Sequence, residues 1–147
     1  MNVGECMRIH FGRISPDATI LEAGRVMTAS GEEAIPVVRS GKLVGVIAER
    51  DTLAALLRSQ SEDFYRSGPL GVDLDDPEAT RSVLTRTVGD LMTTRLLVAP
   101  PDMPVLQAAA LMLAKRVRRL PVVSEGELVG MVFARDIHAM ILTTQAA

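Results

Sequence analysis

Two Arg-Asp pairs, Arg50-Asp51 and Arg135-Asp136, stand where a short β-branched run gives way to a helical pattern. These residue types at a helix start admit two readings. First-turn N–H groups and the partial positive charge there favour an anion such as phosphate, and a carboxylate can accept from two vicinal hydroxyls at once. The same aspartates also serve as caps or charge matches for the first turn, with the arginines solvated. Other chemistry-bearing groups are few. Cys6 is the lone cysteine, which excludes an internal disulfide, and with only His10 and His138 beside it the chain cannot assemble a thiolate and imidazole zinc cage. His138 lies two residues after Asp136, yet no Ser or Cys motif accompanies the pair to make a nucleophile and its base. The acidic cluster Asp73, Asp75, Asp76 and Glu78 lacks the spacing and glycine of a calcium loop. Asp76 instead reads as the N-cap of a helix from Pro77 to about Thr85, with Glu78 in its first turn. No catalytic residue and no metal is expected, so the protein is not read as an enzyme.

The run Lys115-Arg116-Val117-Arg118-Arg119 puts four cations in five residues at the end of a predicted helix. They complement the negative helix terminus or recognise phosphate; no aromatic platform accompanies them, as single-stranded nucleic acid would favour. Over the whole chain 16 Lys and Arg face 18 Asp and Glu, a formal charge of -2, so the basic excess of a nucleic-acid binder is missing and nucleic acid is not an expected partner. The 147 residues allow one compact domain or two very small ones. Hydrophobic residues make up 48% and aromatics 3%, which predicts an aliphatic core with some apolar surface left over. Met7, Met27, Met92, Met112, Met131 and Met140 are expected to serve as adaptable packing in it. No apolar run approaches the roughly 18–20 residues of a membrane span. The opening Met1-Asn2-Val3-Gly4-Glu5 lacks the basic and then apolar regions of a signal peptide. A soluble, cytoplasmic protein without membrane contact is expected.

Stepping the chain by 85 positions reveals what must hold these residues. Val3-Gly4-Glu5-Cys6-Met7 falls on Val88-Gly89-Asp90-Leu91-Met92, and Pro16-Asp17 on Pro101-Asp102. The register continues without a gap through residues 57 and 142, and 20 of 55 aligned pairs are identical. The chain is therefore two copies of one unit. In each, a helical stripe (Ile20, Ala23, Gly24, Met27; Val105, Ala108, Ala109, Met112) precedes two short strands, Ile35 to Arg39 and Leu43 to Ala48, then Leu120 to Ser124 and Leu128 to Phe133. A Gly-containing turn makes each pair a hairpin. A second helix follows, Arg50 to about Arg58 and Arg135 to about Thr143. A further short strand before each Pro-Asp, around Phe11 to Ile14 and Leu96 to Ala99, completes the expected order. The boundaries read as repeat one over 1–59, a linker over 60–87 with turn signals at Ser67-Gly68-Pro69 and Asp75-Asp76-Pro77, and repeat two over 88–147.

Val88-Gly89-Asp90-Leu91-Met92-Thr93, Arg118-Arg119-Leu120-Pro121-Val122-Val123, Gly126-Glu127-Leu128-Val129-Gly130-Met131-Val132 and Arg135-Asp136, with their counterparts Ile35-Pro36-Val37-Val38, Gly41-Lys42-Leu43-Val44-Gly45-Val46-Ile47 and Arg50-Asp51, resemble the paired CBS domain, or Bateman module. The resemblance implies an α/β fold of the α+β type: two tandem β-α-β-β-α repeats packed with pseudo-two-fold symmetry. With no room for an attached catalytic domain, the chain looks like a stand-alone pair. The family implies regulatory binding of AMP, ADP, ATP or S-adenosylmethionine in clefts between the repeats, without catalysis. An Asp in the first turn of the second helix then holds the ribose, here Asp51 or Asp136. The residue before it, here Arg50 or Arg135, and a Ser or Thr three before it contact phosphate. Ala48 and Phe133 stand at those hydroxyl positions, so the arginines are expected to replace the hydroxyl with charge.

In such a pair each cleft takes its Asp from one repeat and its facing wall from the other. The cleft of Ala48, Arg50 and Asp51 takes Ala108, Val117 and Arg118, which adds a cation. The cleft of Phe133, Arg135 and Asp136 takes Ala23, Glu32 and Glu33, whose carboxylates repel phosphate. The Asp51 cleft is therefore favoured for anionic nucleotides. The other is expected to be empty or to suit an uncharged or cationic group, unless Phe133 stacks on a base. The stretch Val105 to Ala114 is apolar nearly all round, which with the resemblance predicts a homodimer through this helix. The reading is a ligand-sensing regulator of a dimer surface or of a protein partner; the alternative is a ligand-free interaction scaffold.

Overall fold

The computed structural model describes residues 1–60 and 76–146. Ser40-Gly41 and Glu125-Gly126 each reverse the chain with both residues at positive φ (53° and 79°, 51° and 81°), the two-residue turn whose twist suits flanking strands. They join β1 (Ala34–Arg39) to β2 (Lys42–Ala48) and β3 (Arg119–Ser124) to β4 (Glu127–Phe133). In the second hairpin Arg119 pairs with Phe133 and Leu120 with Val132, with an irregularity between Val122 and Val123. Each hairpin runs without a loop into a helix, α2 (Glu49–Gln60) after β2 and α6 (Ala134–Ala146) after β4. Ahead of the hairpins lie α1 (Ile20–Ser30) and α5 (Val105–Lys115). Thr19 opens α1 with a capping box, its hydroxyl accepting from the Glu22 N–H at 3.2 Å and the Glu22 carboxylate accepting from the Thr19 N–H at 2.8 Å. Gly31 closes α1 at φ 69°; at the matching position of α5 Arg116 adopts φ 56°. Between α2 and α5 come α3 (Pro77–Leu84) and the single turn α4 (Val88–Leu91). Asp76 caps α3 as the sequence predicts, accepting from the N–H groups of Glu78 and Ala79. The turn signals Ser67-Gly68-Pro69 and the acids Asp73 and Asp75 lie outside the described residues.

The strands expected at Phe11 to Ile14 and Leu96 to Ala99 are not formed. Each segment makes one parallel bridge, Ile14 with Val37 and Ala99 with Val122. The physical reason is proline: Pro16 follows Ile14 by two residues and Pro100-Pro101 follows Ala99 directly, removing the N–H groups a longer ladder needs.

The chain divides into two compact units that cut across the sequence repeats. One, here the Asp51 unit, comprises the described residues of Gly12–Arg39 and Val44–Thr94; the other, the Asp136 unit, comprises those of Met1–Phe11, Ser40–Leu43 and Arg95–Ala147. The core of the Asp51 unit is Ile20, Ala23, Met27, Ile35, Val37, Ile47 and Val88. That of the Asp136 unit is Val105, Ala108, Met112, Leu120, Val122, Val132 and Val3 at the positions 85 steps away, with Ala99 and Ile137. Val3 and Val88 thus sit in the core built by the other repeat. Backbone bonds fix them there: the Val3 and Gly4 N–H groups donate to the Met103 and Pro101 carbonyls, and those of Val88 and Gly89 donate to Ala18 and Pro16, all at 2.8–2.9 Å. In the Asp136 unit α5 buries Val105, Ala108 and Met112, while Leu106 and Leu113 are 66% and 82% exposed.

Candidate functional site

Asp51 is the third residue of α2, and Ala48, the last residue of β2, immediately precedes that helix. The Asp51 carboxylate reaches back to accept from the Ala48 N–H at 2.9 Å. This is half of a capping box; the other half needs a side-chain acceptor at position 48, and Ala48 has none. The Glu49 N–H is satisfied by the Glu33 carbonyl at 2.9 Å. Asp51 is half-buried and Arg50 exposed. Only one carboxylate oxygen of Asp51, Oδ2, accepts a hydrogen bond among the described residues. The result is a carboxylate held in place by one N–H at the positive end of a twelve-residue helix, with the exposed Arg50 as its neighbour in sequence.

The counterpart in the Asp136 unit begins the same way and ends differently. The Ala134 N–H donates to the Arg118 carbonyl at 2.9 Å, and Asp136 is again the third residue of its helix. Its carboxylate, however, accepts both Nε (2.8 Å) and Nη2 (2.9 Å) of Arg8. Phe133, the counterpart of Ala48, is buried, and the guanidinium carbons of Arg135, Arg8 and Arg119 lie 4.5, 4.9 and 5.6 Å from its ring centroid. Arg8 is brought there by the opening segment of the chain: it exchanges N–H to O bonds of 2.8 and 2.9 Å with Met131. Next to that bridge a Cβ on Gly130 would stand 2.7 Å from the Met7 sulfur and 2.9 Å from the Arg8 carbonyl oxygen. The position demands glycine. In the Asp51 unit Thr93 bridges Val46 through bonds of 2.9 and 3.0 Å, and Gly45 is crowded by Met92 in the same manner.

Neither Arg8 nor its counterpart Thr93 is among the site residues expected from the sequence. They form a mismatched pair directly after the matched Met7 and Met92, but no local pattern links Arg8 to Asp136, 128 residues away. Of the remaining candidates, Ala23 and Ala108 have no exposed surface and pack in the cores of the Asp51 and Asp136 units respectively. Glu32 and Glu33 lie between α1 and β1, Val117 and Arg118 between α5 and β3, the last two exposed. Cys6 is half-buried on the Asp136 unit's core, and burial, followed by the nearby carboxylates of Asp136 and Glu5, pushes its thiol pKa up. Among the described residues no cluster of three His, Cys, Asp or Glu could hold a metal, and no helix is long and apolar enough to cross a membrane.

A repeated helix, hairpin and helix, with an Asp in the first turn of each second helix, defines a tandem repeat of a known kind. The CBS domain profile matches residues 3–58 and 88–142, and the chain belongs to the CBS domain family as a tandem pair. The CBS domain-containing protein YhcV of Bacillus subtilis is 30% identical over 146 residues, covering 99% of this chain and 89% of its own. Among solved structures, CBSX2 in complex with AMP is 26% identical with a TM-score of 0.74, covering 98% of both chains. The CBS domain pair of protein MJ0100, solved with 5'-methylthioadenosine and S-adenosyl-L-methionine, shares the fold at 22% identity and a TM-score of 0.71, covering 98% of both chains.

Proposed function

We propose that the protein is a regulatory module that binds an adenosine-containing ligand at Asp51 and converts binding into a change in the surface offered to a second copy or a protein partner. The observation that carries the reading is the state of Asp51: a fixed, half-buried carboxylate at a helix start, with one oxygen accepting only a backbone N–H. Two vicinal hydroxyls of a ribose suit the remaining lone pairs, and Arg50 with the α2 terminus suits phosphate. Relatives solved with AMP and with S-adenosyl-L-methionine support the ligand class, which extends to ADP and ATP. The exposed Leu106 and Leu113 on α5 support a homodimer through that helix. No catalytic step belongs to this reading.

Thermal unfolding of nucleotide-free protein with AMP, ADP, ATP or S-adenosylmethionine tests it. A ligand at 100 times its Kd adds about 2.7 kcal/mol, a rise of about 5–10 °C for a chain of this size. Asp51→Ala is expected to abolish the rise. No shift with any of the four would favour the ligand-free scaffold, which the missing hydroxyls at Ala48 and Phe133 support.

A further inference from the structure

Asp51 and Asp136 hold equivalent helix positions, and so do the backbone bridges of Thr93 and Arg8 beside them. What differs is side-chain reach. Threonine at 93 makes no hydrogen bond to Asp51, whose carboxylate turns to the Ala48 N–H. Arginine at 8 spans the gap and takes both oxygens of Asp136. The guanidinium also lies over the Phe133 ring, its carbon 4.9 Å from the centroid, and the backbone of Arg8 is held by the pair of bonds to Met131. Ala48, the counterpart of Phe133, offers no ring on which a cation at 93 could rest.

We propose that Arg8 is an internal latch that makes the two aspartates unequal: a diol ligand meets both oxygens of Asp136 already held by a guanidinium, whereas at Asp51 only one oxygen accepts a hydrogen bond among the described residues, and that from a backbone N–H. The inference rests on the reading of these aspartates as diol-holding groups and adds the residue that decides between them. A neutral ribose hydroxyl is a weaker donor than a guanidinium, and two charge-assisted bonds in a fork geometry are the strongest a carboxylate makes with a side chain. Arg8 therefore competes with the ligand for the same lone pairs. The 43% exposure of its side chain leaves a route by which it can swing away.

The test exchanges the two residues and counts bound AMP by equilibrium dialysis against nucleotide-free protein. Wild type is expected to bind one AMP per chain, lost in Asp51→Ala. Arg8→Thr, which copies the other repeat, is expected to bind a second AMP about tenfold or more tighter than wild type does, and Asp136→Ala in that background removes it. The reciprocal Thr93→Arg is expected to weaken the first site by a smaller factor, because no ring at Ala48 supports the new cation, and serves as an independent arm should Arg8→Thr not fold. An Arg8→Thr protein that folds and still binds one AMP overturns the latch while leaving the nucleotide reading intact. Weaker AMP binding in Arg8→Thr than in wild type also overturns it, by making Arg8 a ligand contact. Absence of binding by wild type and all variants with AMP, ADP, ATP and S-adenosylmethionine overturns the nucleotide reading itself, and the latch with it.

Discussion

Asp136 and its neighbours show how far a residue's chemistry depends on contacts distant in sequence. The pairs Arg50-Asp51 and Arg135-Asp136 are legible from repetition, because the 85-residue step matches them and the flanking pattern puts both at helix starts. Arg8 is not legible in the same way: it meets Asp136 across 128 residues, and a local pattern carries no information on such a contact. Cys6 offers a readout of this neighbourhood. Burial, then Asp136 and Glu5, raise its thiol pKa above the ordinary 9.0, so less thiolate is present at pH 8 than in the unfolded chain. Alkylation by iodoacetamide at pH 8 is expected to be slower in folded than in denatured protein, and Asp136→Asn to speed the folded reaction. The sign for stability follows from proton binding. As pH rises through 9.0 the unfolded chain releases this proton first, so the contribution of Cys6 is fully present below that pH and falls above it. Cys6→Ala should flatten that alkaline decline in a pH series of urea unfolding curves.

Among the elements, the hairpins and the four longer helices of the repeats follow from apolar periodicity and turn chemistry, and their observed limits differ from expectation by a few residues. The segments before Pro-Asp do not, since each has apolar residues enough for a strand but loses the ladder to proline. The end of α5 carries a second departure from symmetry. Gly31 accepts the left-handed conformation without strain, while Arg116 holds the same conformation with a Cβ. Arg116→Gly is expected to stabilise the protein by about 0.5–1 kcal/mol in urea unfolding, and Gly31→Arg to destabilise it by a similar amount. The left-handed backbone at 116 thus favours glycine, and what the Arg116 charge contributes at the negative helix terminus works against that cost.

For the whole molecule, the aliphatic composition predicted apolar surface beyond the core, and α5 carries the two most exposed large hydrophobic side chains among the described residues. Leu106 and Leu113 lie seven residues apart on one face, with Ala110 exposed between them. In a dimer built on this helix, Leu113→Asp places a charge in an apolar contact and should convert the species seen by sedimentation velocity at tens of micromolar from dimer to monomer. The repetition of one unit was legible as well, but not the crossing of the opening segments, which exchanges Val3 and Val88 between cores of nearly identical make-up. Matching apolar positions cannot tell a residue which of two similar cores it will join.

That crossing imposes a timetable on a ribosome. The segments of the Asp51 unit have all been synthesised once Thr94 is added, so this unit can close while the rest of the chain is still being made. Residues 1–11 emerge before the Asp51 unit, yet Val3 has no core to enter until Val105, Leu120, Val132 and Ile137 have followed. Residues made ahead of the Asp51 unit are thus fixed after that unit can have closed, and Arg8 reaches Asp136 only once the helix that follows β4 has been made.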